Sequence, residues 1–160
     1  MNSNGLKCVE IDVTPVLAGT GAYSSGNQVG GIHTLTHACI EENRIGQLQS
    51  LTVIDIDNQK AALTMLFFNQ VPSVTSVDQG AFAITAAALK SQCIGMQLIT
   101  AASYTTVASK AVTTLVLTNY FLQSLTSTQG NLYAAVVTTG TPTYTTTSSL
   151  VFKYVFAQHY

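Results

Sequence analysis

The stretch Gly46–Phe68, GQLQSLTVIDIDNQKAALTMLFF, decides the fold. Up to Ile56 it alternates with a period of two, and it is rich in β-branched residues, the pattern of a strand. Leu48, Ile54 and Ile56 share one face with Ser50 and Thr52 between them. Leu51 and Val53 take the other, flanked by Gln49 and Asp55. Asp57-Asn58-Gln59-Lys60 breaks the alternation with side chains that bond their own backbone, so a tight turn is expected there. Beyond it, Ala61, Leu63, Met65 and Phe67 fall on one face, and Ala62, Leu66 and Phe68 on the other. The stretch reads as a hairpin of two long strands. A strand apolar on both faces must be covered on both. The expectation is a second sheet over one face, and more chain or a neighbouring subunit over the other.

Working outward, Leu6–Val13 reads as a first strand, ended by Pro15. Leu17–Gly31 is a glycine-rich loop, and Ile32–Ile40 a second strand. Glu41–Arg44 is a charged surface turn. After a loop at Gln70–Gln79, Thr85 is placed to cap a short helix through Ala86–Leu89, with Lys90 at its C-terminal end. Strands follow at Ile94–Thr100, Val112–Leu117 and Leu132–Thr138. A chain continuing through Asn119–Leu122 leads to a polar loop at Ser124–Gly130. A Thr-rich loop, Gly140–Ser149, precedes a last strand with Leu150, Phe152, Tyr154 and Phe156 on one face and Val151, Lys153 and Val155 on the other. About eight strands, one short helix and no βαβ rhythm predict an all-β fold, a two-sheet β-sandwich of jelly-roll type, as one domain over residues 1–160.

Composition narrows the function. Of 160 residues, 47% are hydrophobic but only 8% are charged, where about 25% is usual. A net charge of −1 does little to keep copies apart. Lys7, Arg44, Lys60, Lys90, Lys110 and Lys153 are scattered, which argues against nucleic acid. No apolar run has the roughly 20 residues of a membrane-spanning helix. The segment MNSNGLK lacks the apolar core of a cleaved signal. The expectation is a chain kept in the cytosol or released by another route. Chain ends fray unless tied down, so both ends are expected to be held in an assembly. Sheet edges with few Lys and no Pro must be shielded by loops or engaged by other subunits.

No motif carries chemistry. His33 and His37, four apart on a strand, would lie about 13 Å from each other, too far to share a metal. Asp55-x-Asp57 starts like a calcium loop, but Gln59 and Lys60 stand where a ligand and a glycine are wanted. Gly19-x-Gly21 opens a dinucleotide fingerprint that Ser24 fails to complete. Cys8, Cys39 and Cys93 form no CxxC pair. No G-x-S-x-G elbow surrounds a serine, and a hydrolase would need a histidine beside a serine in a cleft. No catalytic, cofactor or metal residues are therefore assigned. The stripe Phe152, Tyr154, Phe156 reads as core. The loops best placed to reach a partner carry Gly19, Tyr23 and Asn27, and Thr141, Pro142 and Tyr144. Removing Ala22–Gly26 is expected to weaken assembly more than the fold.

IDIDNQKAALTMLFF, AFAIT near Phe82 and NLYAAVVTTGTPTYTTTSSLVFKY together resemble small structural proteins of tailed bacteriophages, from about Leu48 to the C-terminus. The resemblance implies a non-enzymatic virion component that decorates or cements a capsid. Its partners would be copies of itself, for which a homotrimer would suit a shell's local three-fold positions, and the major capsid protein or other virion proteins. It would be assembled in the host cytoplasm and located in the virion. The alternative is a receptor- or glycan-binding module of a tail or fibre, which would present Tyr104, Tyr120 or Tyr144 among polar loop residues.

Overall fold

A computed structural model describes residues 7–41, 44–125 and 129–158. The strands are β1 (Lys7–Val13), β2 (His33–Leu35), β3 (Ile45–Asp55), β4 (Leu63–Phe68), β5 (Cys93–Ile99), β6 (Thr105–Val107), β7 (Lys110–Val116), β8 (Phe121–Gln123), β9 (Leu132–Thr138) and β10 (Leu150–Gln158). The helix α1 (Ala86–Gln92) lies between β4 and β5. Thr85 caps it, its Oγ1 accepting from Ala88 N at 3.1 Å. Expectations about the chain ends fall outside the described residues. So do parts of the turn at 41–44 and of the loop at 124–130.

Two antiparallel sheets form. One has the order β1-β10-β3-β7-β6, with β8 also on β3; the other has the order β2-β9-β4-β5. The pairings are nested: β1 with β10, β2 with β9, β3 with β7, and β4 with β5. A long antiparallel ladder of that kind, rolled until β10 meets β3 and β9 meets β4, is a jelly roll. Between the sheets lies the core, with Leu51, Val53, Phe152, Tyr154 and Phe156 from one sheet and Leu63, Met65, Phe67, Leu132, Ala134 and Val136 from the other.

The central stretch is not a hairpin. β3 and β4 belong to different sheets, and the turn between them crosses the sandwich. Asp55 is fully buried, and its carboxylate accepts from Asp57 N at 3.1 Å and Lys60 N at 2.8 Å. The turn chemistry read from the sequence is therefore present, but it connects sheets. A bulge corrects the face assignment. Phe156 pairs with Leu48 and Val155 with Ser50, so Gln49 is the extra residue. It returns Leu48 to the core side with Leu51 and Val53. The second strand is also shorter than expected. Ala38 N donates to Leu35 O, and His37 has φ 55°, so the chain turns after Leu35.

The second face of β4 is covered by the chain itself. Phe68, Tyr133 and Ala135 are buried under Ile32, Phe82 and Ile84. Phe82 comes from the segment joining β4 to β5. That segment is pinned by Phe82 N to Gly26 O at 2.9 Å and Gln28 N to Gly80 O at 2.8 Å. The edges are shielded from within as well. The segment near Gly80 lies along residues 26–28 beside β9. β5 has its Met96 carbonyl held by Tyr120 OH at 2.8 Å and its Leu98 carbonyl by Gln97 Nε2 at 2.9 Å. β6 and β8 are three residues long, and β1 carries Glu10 and Asp12. These are ordinary devices against edge-to-edge pairing.

Candidate functional site

The loops leaving β1, β3 and β9 meet at one end of the sandwich, and this joins the two loops singled out in the sequence. Tyr23 N donates to Pro142 O at 2.8 Å and Leu17 N to Thr147 O at 3.0 Å. Tyr23 and Tyr144 meet edge to face, with centroids 5.6 Å apart. Asp78 binds the glycine loop, accepting from Ala18 N at 2.6 Å, from Tyr23 OH at 2.7 Å and from Gly30 N. Burial and the Asp78 hydrogen bond both push the Tyr23 phenol far above its usual range. Asn27 Nδ2 donates to Gln79 O. Gly19 has φ 69°, and a Cβ there would press on the Thr147 backbone.

Of the named loop residues, Tyr23, Pro142 and Tyr144 are buried, Gly19 and Asn27 are half-buried, and Thr141 is exposed. Their contacts within the molecule bind loop to loop. The surface this end offers a partner is hydroxyl-rich, from Thr20, Ser24, Ser25, Thr141, Thr143 and Thr145–Ser148. Asp57 anchors it from beneath, accepting from Thr145 N at 2.6 Å and Ser149 Oγ at 2.7 Å. Burial works against the charge on Asp57, but the bonds from Thr145 and Ser149 outweigh it and hold the carboxyl below its usual range. Asp55 shows the reverse balance: burial raises its carboxyl despite the backbone donors. Both aspartates thus serve the turn.

His33 points into the core and its Nδ1 lies 2.7 Å from Tyr154 OH. Burial lowers its pKa to about 4. His37 is exposed beyond the end of β2. Among the described residues no group of three or more His, Cys, Asp or Glu is placed to hold a metal. Among the described residues, no helix is long and apolar enough to cross a membrane. Of the rings named for glycan stacking, Tyr104 and Tyr144 are buried, and Tyr120 is half-buried with its OH donating to Met96 O at 2.8 Å.

A second surface comes from the register. The outer face of the β1-β10-β3-β7 sheet carries the rows Glu10–Val155–Ser50–Val116, Asp12–Lys153–Thr52–Thr114 and Val151–Ile54–Val112, the last reaching Thr105 on β6. Past the bulge, Gln47 pairs with Phe121 on the same face. Val116 is 78% exposed, Val107 56% and Phe121 51%. An outward face is ordinarily polar. This one is mostly valine, isoleucine and threonine, and Thr52 and Thr114 bond each other at 2.8 Å. Among the described residues, buried apolar clusters lie between the sheets and over the other sheet, and none on this face. The sequence held the signal in Val151 and Val155, which make β10 apolar on both sides.

No family model matches the chain, and no curated protein matches it. Solved structures with some likeness include a chain of turnip yellow mosaic virus, at 17% identity and a TM-score of 0.31, covering 99% of this chain and 84% of that one. A chain of Desmodium yellow mottle tymovirus has 12% identity and a TM-score of 0.27, covering 99% and 85%. A chain of the full particle of Israeli acute paralysis virus, heated to 63 degrees, has 12% identity and a TM-score of 0.29, covering 96% and 66%.

Proposed function

We propose that this chain is a non-enzymatic structural protein of a virion, of the decoration or auxiliary type, built as one β-sandwich domain. It would work by packing against copies of itself and against other shell proteins. The observation that carries this reading is the outer face of the β1-β10-β3-β7 sheet, where Val107 and Val116 stand exposed beside Ile54, Val112, Val151, Val155 and a threonine row, while Phe68, Tyr133 and Ala135 on the opposite sheet are covered. Burying apolar surface is worth about 2.5 kcal/mol per 100 Å² before ordering costs. Repetition over a shell turns modest contacts into firm attachment. The hydroxyl-rich loop end, with Thr141 at its surface, is the second place where a shell protein would be met. The resemblance of the region after Leu48 to tailed-phage structural proteins supports the same reading.

The test is quantitative protein analysis of gradient-purified particles from the natural source. The expected result is a fixed, high copy number relative to the major shell protein, retained through washing. Trace amounts that vary with purification would contradict the proposal.

A further inference from the structure

We infer that the outer face of the β1-β10-β3-β7 sheet takes a second copy of this chain, stacked face to face about a two-fold axis parallel to the strands. The inference deepens the proposed structural role and rests on the same face. Its charges set the orientation. Glu10 and Asp12 stand on the β1 margin and share one cation, Lys153, whose Nζ lies 3.1 and 2.6 Å from their carboxylates. That margin has one carboxylate in excess. The far margin, where β6 turns into β7, carries Lys110 beside Val107. Among the described residues Lys110 makes no ion pair, though its field favours the charged form of Asp57. An axis parallel to the strands lays each acidic margin over the other copy's basic one. An axis across the strands lays β1 on β1 and brings like charges together. Between the margins the named rows carry one charge, Lys153 on β10, which is turned to Glu10 and Asp12. Beside it Ile54, Val112, Val116, Val151 and Val155 are ready to interdigitate at the ordinary sheet-to-sheet spacing of about 10 Å.

Size sets the strength. With strands about 4.8 Å apart and same-face residues about 6.7 Å apart, the face covers roughly 500 Å² a side. The total of roughly 1,000 Å² falls at the weak, transient end of specific interfaces. A dimer that is weak in solution and reinforced by neighbours in a shell matches that area.

Sedimentation velocity of the whole chain over a concentration series tests this. The expected result is a reversible dimer with a dissociation constant of roughly 10–500 μM. Val116→Lys should weaken it about tenfold or more without changing the melting temperature. Thr114→Lys, also at an exposed position, should do the same if Val116→Lys proves unstable. Lys110→Glu should weaken it, and adding Glu10→Lys should restore it. A chain that stays monomeric to about 1 mM, or a dimer indifferent to both lysine substitutions, would overturn the inference. A monomer that is nonetheless abundant in purified particles would sink this pairing and leave the virion role standing. A dimer of this geometry absent from particles would do the reverse.

Discussion

His33 is the residue whose chemistry is most exposed to test. It sits on a three-residue strand, 2% exposed, against Phe152 and with Tyr154 OH on its Nδ1. Its folded pKa, about 4, lies below the unfolded value near 6.5. Between those values the unfolded chain binds a proton that the folded chain refuses, so stability falls as pH falls through that window. The loss should reach roughly 2–3 kcal/mol by pH 4.5. Asp57 would lose its contribution only at lower pH, and the raised Asp55 acts in the opposite sense. Urea midpoints at pH 7.5 and 4.5, compared with those of His33→Gln, isolate the histidine. The variant should lose much less on acidification, and equal losses would refute the assignment. Asp78 gives a second residue-scale prediction. Asp78→Ala leaves Ala18 N, Gly30 N and Tyr23 OH without their acceptor, and should cost roughly 3 kcal/mol or more in urea unfolding. Tyr144→Phe should cost under about 1 kcal/mol, because its buried hydroxyl has no partner among the described residues.

At the scale of elements, the sequence located most strands but did not show how they pair. β3 was legible by its alternation, whereas β4 and β10, apolar on both faces, and β9, buried along nearly its whole length, were legible as apolar, β-rich runs between turn signals. Two features escaped. The crossing from β3 to β4 uses residues any hairpin tip would use, and only its length argued otherwise: seven residues, 56–62, against the usual two to five of a hairpin. The Gln49 bulge has no glycine or proline to announce it, and it exists because residues 117–120 meet β3 there. Leu48 N donates to Tyr120 O and Leu117 N to Gln49 O. The meeting of Tyr23 with Tyr144 was equally illegible, since no local pattern encodes a contact so distant in sequence. That contact changes one expectation. Removing Ala22–Gly26 takes a core tyrosine with it, so the thermal transition should now fall sharply, before any question of assembly. Glycine substitutions test the packing of these elements. A Cβ at Gly46 would collide with the Ala38 carbonyl, while one at Gly31 meets nothing within 4 Å. Gly46→Ala should destabilise by roughly 1–3 kcal/mol and Gly31→Ala by little, as read from denaturant midpoints.

At the scale of the whole molecule, the scarcity of charge and the arrangement of cover point one way. The sheet edges and the outer face of the β2-β9-β4-β5 sheet are managed largely from within, by short strands, side-chain caps and the segment between β4 and β5. Among the described residues, what stays open is chiefly the broad β1-β10-β3-β7 face and the threonine-rich loop end, with Met96 and Leu98 exposed on the β5 margin of the other sheet. That division suits a unit whose fold is complete by itself and whose neighbours meet it along chosen surfaces. The most direct measurement is a density map of the intact particle from the natural source, at a resolution that shows strands. This jelly roll is expected at regularly repeated positions, with the face bearing Val116 and Ile54 closed against another protein. Particles without it, or with that face turned to solvent at every position, would contradict the account.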